Sequence, residues 1–335
     1  MIIKRNLLTK VSIMAIAALM IGAFVVTVPM STDASFSGEG SVTVADTYEI
    51  TTVEQLQAMN QNLSAHYVLK GFIDAGDVLF TPVGNQTNPF TGSFDGSNGW
   101  IINLTIESSG DNVGLFGFTG AGAVIKKVNL QMINVDGNDN VGGLVGTNNG
   151  NISESLVTGS VNGSENVGGL VGINNGNVTD SFSRAQVKGL SIVGGLIGYN
   201  GANGDINRTY AAGLVNATGG SAGGLIGLNN GDVSSSFWDV QTTGQATSAG
   251  EGVGNAEGKS TEDMYNRTTF SDAGWDFVNI WRIDDGEHYP ELQVHFTIEE
   301  LLRFFEKFFD EVCNSAGVIL FIGGVAIISS RKKKS

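Results

Sequence analysis

The chain has 335 residues, of which 48 are Gly, 4 are Pro and one is Cys, with 8% aromatic and 15% charged side chains. The single Cys excludes an intramolecular disulfide and a four-Cys zinc site, and three scattered histidines (His66, His288, His295) exclude an HExxH zinc helix. The formal charge is −15, and seven of the 18 bases sit at the two ends, so the middle is more acidic still; such a surface repels phosphate backbones and excludes nucleic-acid binding through a basic footprint. Glycine abundance without a G-X-Y period and with little proline points to tightly turned β structure, not collagen.

Residues 1–34 have the layout of a signal peptide: Lys4, Arg5 and Lys10, an apolar run from Val11 to Val28, then Pro29 and small residues up to Ala34. Residues 35–89 are expected to form an N-terminal cap region. Within it Thr52-Val-Glu-Gln55 is a capping box, and Leu56, Met59 and Leu63 fall on one face of a short helix. Such a cap shields the first strand edges from aggregation.

Residues 90–243 contain an internal repeat: Val113-Gly-Leu-Phe-Gly117, Val141-Gly-Gly-Leu-Val-Gly146, Val167-Gly-Gly-Leu-Val-Gly172, Val193-Gly-Gly-Leu-Ile-Gly198 and Ala222-Gly-Gly-Leu-Ile-Gly227. The shared leucines, Leu115, Leu144, Leu170, Leu196 and Leu225, are 29, 26, 26 and 29 residues apart. A propeller blade needs about 40 residues, whereas about 26 hold three short strands and three turns. The fold class is therefore all-β, a parallel β-helix (β-solenoid) with capping segments. It should comprise roughly six coils spaced about 4.8 Å apart. Two inward ladders are expected, Leu144, Leu170, Leu196 and Leu225 in one and Leu156, Phe182, Tyr210 and Phe237 in the other. Asparagine in the pairs Asn149-Gly150, Asn175-Gly176, Asn200-Gly201 and Asn230-Gly231 should supply positive φ at the corners.

Residues 244–296 read as a Gly-rich loop followed by an aromatic closing cap from Gly274 to Leu292. At 297–311 a capping box opens an amphipathic helix, with Leu301, Leu302, Phe304, Phe305, Phe308 and Phe309 at helical spacing. The apolar stretch 312–330 would be about 28 Å long as a transmembrane helix, enough to cross a bilayer, and the basic tail 331–335 should remain cytoplasmic. The expected topology is a single-pass membrane protein with an extracellular ectodomain.

The repeats resemble the GLUG motif, whose Gly-Leu-any-Gly core stands here as Gly143-Leu-Val-Gly146 and its copies, with Phe90-Thr-Gly-Ser-Phe-Asp-Gly96 before the array and Ser236-Phe-Trp-Asp239 and Trp281-Arg-Ile283 after it. The resemblance covers roughly residues 48 to 292. GLUG arrays occur in bacterial and archaeal surface and adhesin-like proteins, and beside the catalytic domain of IgA-cleaving metallopeptidases. The resemblance implies a β-helical extracellular module with an adhesive or display role. It implies no chemistry, because the peptidase zinc motif is missing.

Nine N-x-S/T sequons, at Asn62, Asn85, Asn103, Asn151, Asn162, Asn177, Asn207, Asn216 and Asn266, are candidate glycosylation sites. Asp136-Gly-Asn-Asp-Asn140 opens like a calcium loop but has Val141 where an EF-hand needs glycine. Carbohydrate cleavage would need convergent acids, or an acid with Lys or Arg, for which Glu154, Asp180, Arg184, Asp205, Arg208, Asp232 and Asp239 are candidates, although solvated coil surface is the better account of them, because Asp is expected in turns anyway. Trp100 and Trp238 are candidates for stacking on sugar rings. No cofactor motif is present, and neither catalytic nor metal residues are assigned. The expected function is adhesion or cell-envelope interaction, with surface polysaccharide or other envelope proteins as partners. A structural envelope component and a polysaccharide-active enzyme are the rivals.

Overall fold

The computed structural model describes residues 47–293, except 77 and 98. The expected signal, amphipathic and membrane-spanning segments lie outside the described residues. Among the described residues no helix is long and apolar enough to cross a membrane.

Strands of two to eight residues pair in parallel with the equivalent strand one coil later, giving a parallel β-solenoid of about 7 turns. One long face runs through eight strands, from Tyr48–Ile50 to Asp232–Ser234. A second face of eleven strands starts at Phe72–Asp74 and ends at Glu257–Lys259. The third is split into six strands, from Phe116–Phe118 to Ala249–Gly252, and a short four-stranded ribbon from Val141–Gly142 to Ala222–Gly223. The stack therefore holds about one coil more than the sequence spacing suggests. The extra turn comes from the region before residue 90, where Tyr48–Ile50 already pairs with His66–Leu69 in the same parallel register.

The VGGLVG copies sit where the split face turns. The first Val-Gly pair ends a strand of the short ribbon, the Gly-Leu pair makes the corner, and the last Val-Gly pair starts the next strand. A Cβ on Gly168 would lie 2.0 Å from the Val171 carbonyl oxygen, so no other residue fits that corner. Leu144, Leu170, Leu196 and Leu225 are fully buried in the central core. Their backbones are chained as well: the Leu144 N–H donates to the Leu170 carbonyl at 3.0 Å, Leu170 to Leu196 at 2.9 Å and Leu196 to Leu225 at 2.9 Å.

The second expected ladder faces the other way. Strand alternation sends Val157, Ser183, Ala211 and Trp238 inward, so their neighbours Leu156, Phe182, Tyr210 and Phe237 point out of the coil. These four form a separate apolar cluster with Met264, Phe270, Trp275, Trp281 and Leu292. The chain after Lys259 thus lies as an arm along the flank of the stack. It contains the helices Thr261–Met264 and Arg267–Ser271 and an antiparallel pair, Trp281–Arg282 with Glu291–Leu292. Phe182 stacks on Tyr210 with ring centroids 4.7 Å apart, and Tyr210 on Tyr289 at 5.9 Å. Each buried aromatic of this size contributes about 1.5–3 kcal/mol of burial energy.

The Asn-Gly pairs also differ from expectation. Positive φ falls on Asn112, Asn140, Asn166 and Ile192 at one corner and on Lys127, Glu154, Asp180, Arg208 and Ser235 at another. The asparagines Asn148, Asn174, Asn200 and Asn229 instead turn into the coil, where each is fully buried. The Asn148 amide donates to Asn174 Oδ1 at 2.9 Å, Asn174 to Asn200 at 2.9 Å and Asn200 to Asn229 at 2.8 Å. The Thr119 hydroxyl opens this ladder at 2.8 Å and the Val253 carbonyl closes it at 2.7 Å. The polar row satisfies itself along the axis, which is what permits it inside an apolar core.

The short helix Val53–Ala58 forms where its capping box lies. Thr52 Oγ1 accepts from the Gln55 N–H at 3.2 Å, and Gln55 Oε1 accepts from the Thr51 N–H at 2.8 Å. Leu56 and Met59 are fully buried against the first coils.

Candidate functional site

The charged residues that could have served carbohydrate cleavage divide into a flank cluster and an open face. On the flank, Asp180 accepts two hydrogen bonds from Arg208, from Nε and Nη2 at 2.7 Å each, and a third from the Trp281 indole at 3.1 Å. Asp180 is buried, and its hydrogen bonds to Arg208 raise the guanidinium pKa above its usual value against the opposing effect of burial. Arg184 lies over the Phe182 ring at 4.8 Å and reaches Glu291 at 3.4 Å. Arg282 holds the same carboxylate at 2.7 Å. Burial alone would raise the Glu291 pKa, but Arg184 and Arg282 outweigh it and hold the carboxyl below its ordinary range.

Asp239 is occupied in a different way. Its side chain caps the helix Val240–Thr243 by accepting from the Gln241 and Thr242 N–H groups, and it accepts further bonds from the Thr261 and Tyr289 hydroxyls, each at 2.7 Å. Burial drives the hydroxyl pKa of Tyr289 well upward, with the bond to Asp239 adding to it. The Tyr210 hydroxyl, also pushed upward by burial, donates to the Pro290 carbonyl at 2.8 Å. These bonds clamp the arm to three successive coils. Trp281, Tyr289, Arg282 and Glu291 are thus the partners that the repeat alone does not reveal; the density of aromatics after residue 260 was the available signal.

Asp205 and Asp232 are register partners on the long face, both exposed, one strand spacing or about 4.8 Å apart. They continue an exposed row begun by Asn151 and Asn177, whose side chains bond at 2.7 Å. Glu154 is half-buried at a left-handed corner with φ 47°. The structure brings Asp180 to Arg208 and sets Asp205 beside Asp232; it does not gather the seven residues into one cleft. Trp238 is buried, its indole N–H donating to the Gln245 carbonyl at 3.0 Å, and Trp100 is half-buried. Trp238 therefore has no open ring face for a sugar.

At the calcium-like turn, Asp111 Oδ1 accepts from the Asn138 amide at 2.8 Å and the Asp139 N–H at 3.3 Å, and Asp139 accepts from the Glu165 N–H at 3.2 Å. The carboxylates here order turns in successive coils. Among the described residues no group of three or more His, Cys, Asp or Glu is placed to hold a metal.

Among the sequons, Asn85, Asn151, Asn177, Asn216 and Asn266 are exposed, while Asn62, Asn103, Asn162 and Asn207 are half-buried. In Asn151-Ile-Ser153 and Asn177-Val-Thr179 the strand puts the asparagine and hydroxyl on the outer face and buries Ile152 and Val178. Alternation in a strand produces this pattern by itself. Asn266 is a helix N-cap that accepts from the N–H and the hydroxyl of Thr268, and Thr209 of the Asn207 sequon is buried.

No family model matches the chain. Over 102 residues, 29% of its length, it is 43% identical to a protein of Evansella cellulosilytica named "Putative Gly-rich membrane protein", of which the match covers 11%. Over 202 residues, 56% of its length, it is 40% identical to Halomucin of Haloquadratum walsbyi, of which the match covers 2%. The chain therefore spans only a small part of these curated relatives. The crystal structure of a "putative immunoglobulin A1 protease" from Bacteroides ovatus superposes with a TM-score of 0.62 over 77% of this chain and 95% of that one, at 21% identity. That likeness shows the fold alone.

Proposed function

We propose that the chain is a cell-surface protein whose GLUG-type solenoid works in adhesion or in contacts within the cell envelope. The observation that carries this reading is the register of the outward rows. Asn151, Asn177, Asp205 and Asp232 on one face, and Asp136, Asn162, Lys188 and Asn216 on another, present polar side chains at the same position coil after coil. A surface of this kind binds weakly per coil and strongly when copies are clustered. The relatives named as a Gly-rich membrane protein and as Halomucin support an envelope setting, and so does the resemblance to GLUG arrays.

In this reading residues 1–34 direct export, residues 312–330 anchor the protein in the membrane, and exposed sequons outside these rows, such as Asn85, carry glycans. Surface polysaccharide and other envelope proteins are the partners. The test compares attachment of cells that display the full chain with that of a deletion strain, on cell and polysaccharide surfaces. Attachment that falls in the deletion strain and returns with the full-length gene supports the reading. Unchanged attachment contradicts it.

A further inference from the structure

An open groove of about 510 Å³ runs along one corner of the stack, lined by Asp136, Asn162, Ser164, Lys188, Leu190 and Thr218 among others. Its floor is backbone at Gly137, Gly163 and Gly189. A Cβ on these glycines would lie 2.8, 2.8 and 2.7 Å from the Cγ2 atoms of Val141, Val141 and Val193, so the corner is drawn in against the valine row and stays recessed. One wall is a register row, Asp136 to Asn162 to Lys188, with one residue per coil and hence about 4.8 Å between successive side chains. The other wall carries Ser164 and Leu190, the latter 54% exposed.

The wall row has polar capacity to spare. Among the described residues neither the Asp136 carboxylate nor the Lys188 ammonium takes part in an ion pair or a side-chain hydrogen bond, and two coils separate them. The groove therefore offers an acceptor, an amide and a donor in line, beside one apolar patch. Its charges cancel within a chain of net charge −15. Hydroxyl-rich ligands match this set, because each hydroxyl both donates and accepts, while the C–H face of a sugar ring can cover Leu190. The row spacing is close to the rise of one sugar unit in an extended polysaccharide. A polyanion would meet Asp136 and the acidic surroundings.

We infer that this groove binds a neutral polysaccharide, with Asp136, Asn162 and Lys188 each bonding hydroxyls of successive sugar units. This deepens the surface role proposed above and rests on it. The test is calorimetric titration of the full chain with cellohexaose, xylohexaose and mannohexaose, and with hexagalacturonic acid as the polyanionic counterpart. The variants are Lys188→Ala, which removes a charged hydrogen-bond donor, and Ser164→Trp, which fills the groove; Val278→Ala, at an exposed position of the C-terminal arm outside both polar rows, is the control. Thermal unfolding of each variant verifies that it is folded.

The expected result is binding of at least one neutral hexasaccharide, weakened about tenfold or more by Lys188→Ala and by Ser164→Trp and unchanged by Val278→Ala. Equal binding by the groove variants, preference for hexagalacturonic acid, or no neutral binding overturns the inference. A glycan found by mass spectrometry on Asn162, whose sequon lies in the groove, overturns it too, since the chain's own sugar would then occupy the site. If the groove fails while cell attachment holds, the surface role stands. If the groove binds and attachment does not depend on the chain, the surface role alone is lost.

Discussion

The indole N–H of Trp281 donates to Asp180 Oδ1 at 3.1 Å, joining the C-terminal arm to a coil corner 101 residues earlier in the chain. Asp180 already holds Arg208 through two bonds, so the indole supplies the third partner of a buried carboxylate. Trp281→Phe keeps most of the ring contacts and removes the N–H. It should cost about 1–3 kcal/mol in denaturant unfolding. Trp281→Ala also empties the aromatic cluster and should cost about 3–5 kcal/mol, with limited proteolysis cutting within 264–293 before the coils.

The asparagine ladder should be as sensitive as the leucine ladder. Asn174→Ala removes the acceptor of Asn148 and the donor to Asn200, both inside the coil. With about 1–3 kcal/mol for each buried group left without a partner, the loss should be several times that of Asn177→Ala on the exposed face, which should stay within about 0.5 kcal/mol. Chemical unfolding of both variants measures the difference.

Ile192 is the exception in a column of asparagines. It has φ 55°, where its equivalents Asn112, Asn140 and Asn166 have φ 59°, 59° and 54°. A β-branched side chain in the left-handed region is strained by roughly 1–2 kcal/mol, while asparagine tolerates it. Asn140 and Asn166 also bond to the preceding member of the column, at 3.3 and 3.0 Å. Ile192→Asn should therefore raise stability by about 1 kcal/mol, read as a higher melting temperature. A lower one would show that Ile192 is held by packing.

The Glu291 carboxyl is held below its ordinary value of 4.5 because its two arginine partners outweigh the effect of burial. A carboxyl whose pKa is lower in the folded state contributes stability that is fully present above pH 4.5 and is lost as the pH falls through the depressed value. Melting temperature followed from pH 7 to pH 3 should decline more steeply for the wild type than for Glu291→Gln below about pH 4.5. The two curves should run parallel above it.

The coil architecture was legible because the leucines recur four times in a row at 26 or 29 residues and because the period of one coil admits only short strands. The side to which Phe182 and Tyr210 point was not. They lie in strands of two residues, Phe182–Ser183 and Tyr210–Ala211, and both faces of these strands are buried, so no polar alternation marks inside from outside. Asn174 was hidden by its neighbour, since Asn175-Gly176 reads as a turn and local propensity says nothing of a row that bonds from coil to coil. Asp180 and Asp239 looked like surface acids. Their partners Trp281 and Tyr289 come from 101 and 50 residues away, beyond the reach of any spacing rule.

The central claim, a solenoid displayed outside the cell, is most directly tested at Lys188, an exposed amine on the groove wall. Intact native cells would be treated with a membrane-impermeant amine reagent, and the labelled sites identified by mass spectrometry. The account predicts labelling of Lys188 on intact cells to the same extent as after lysis. Labelling only after lysis would contradict it.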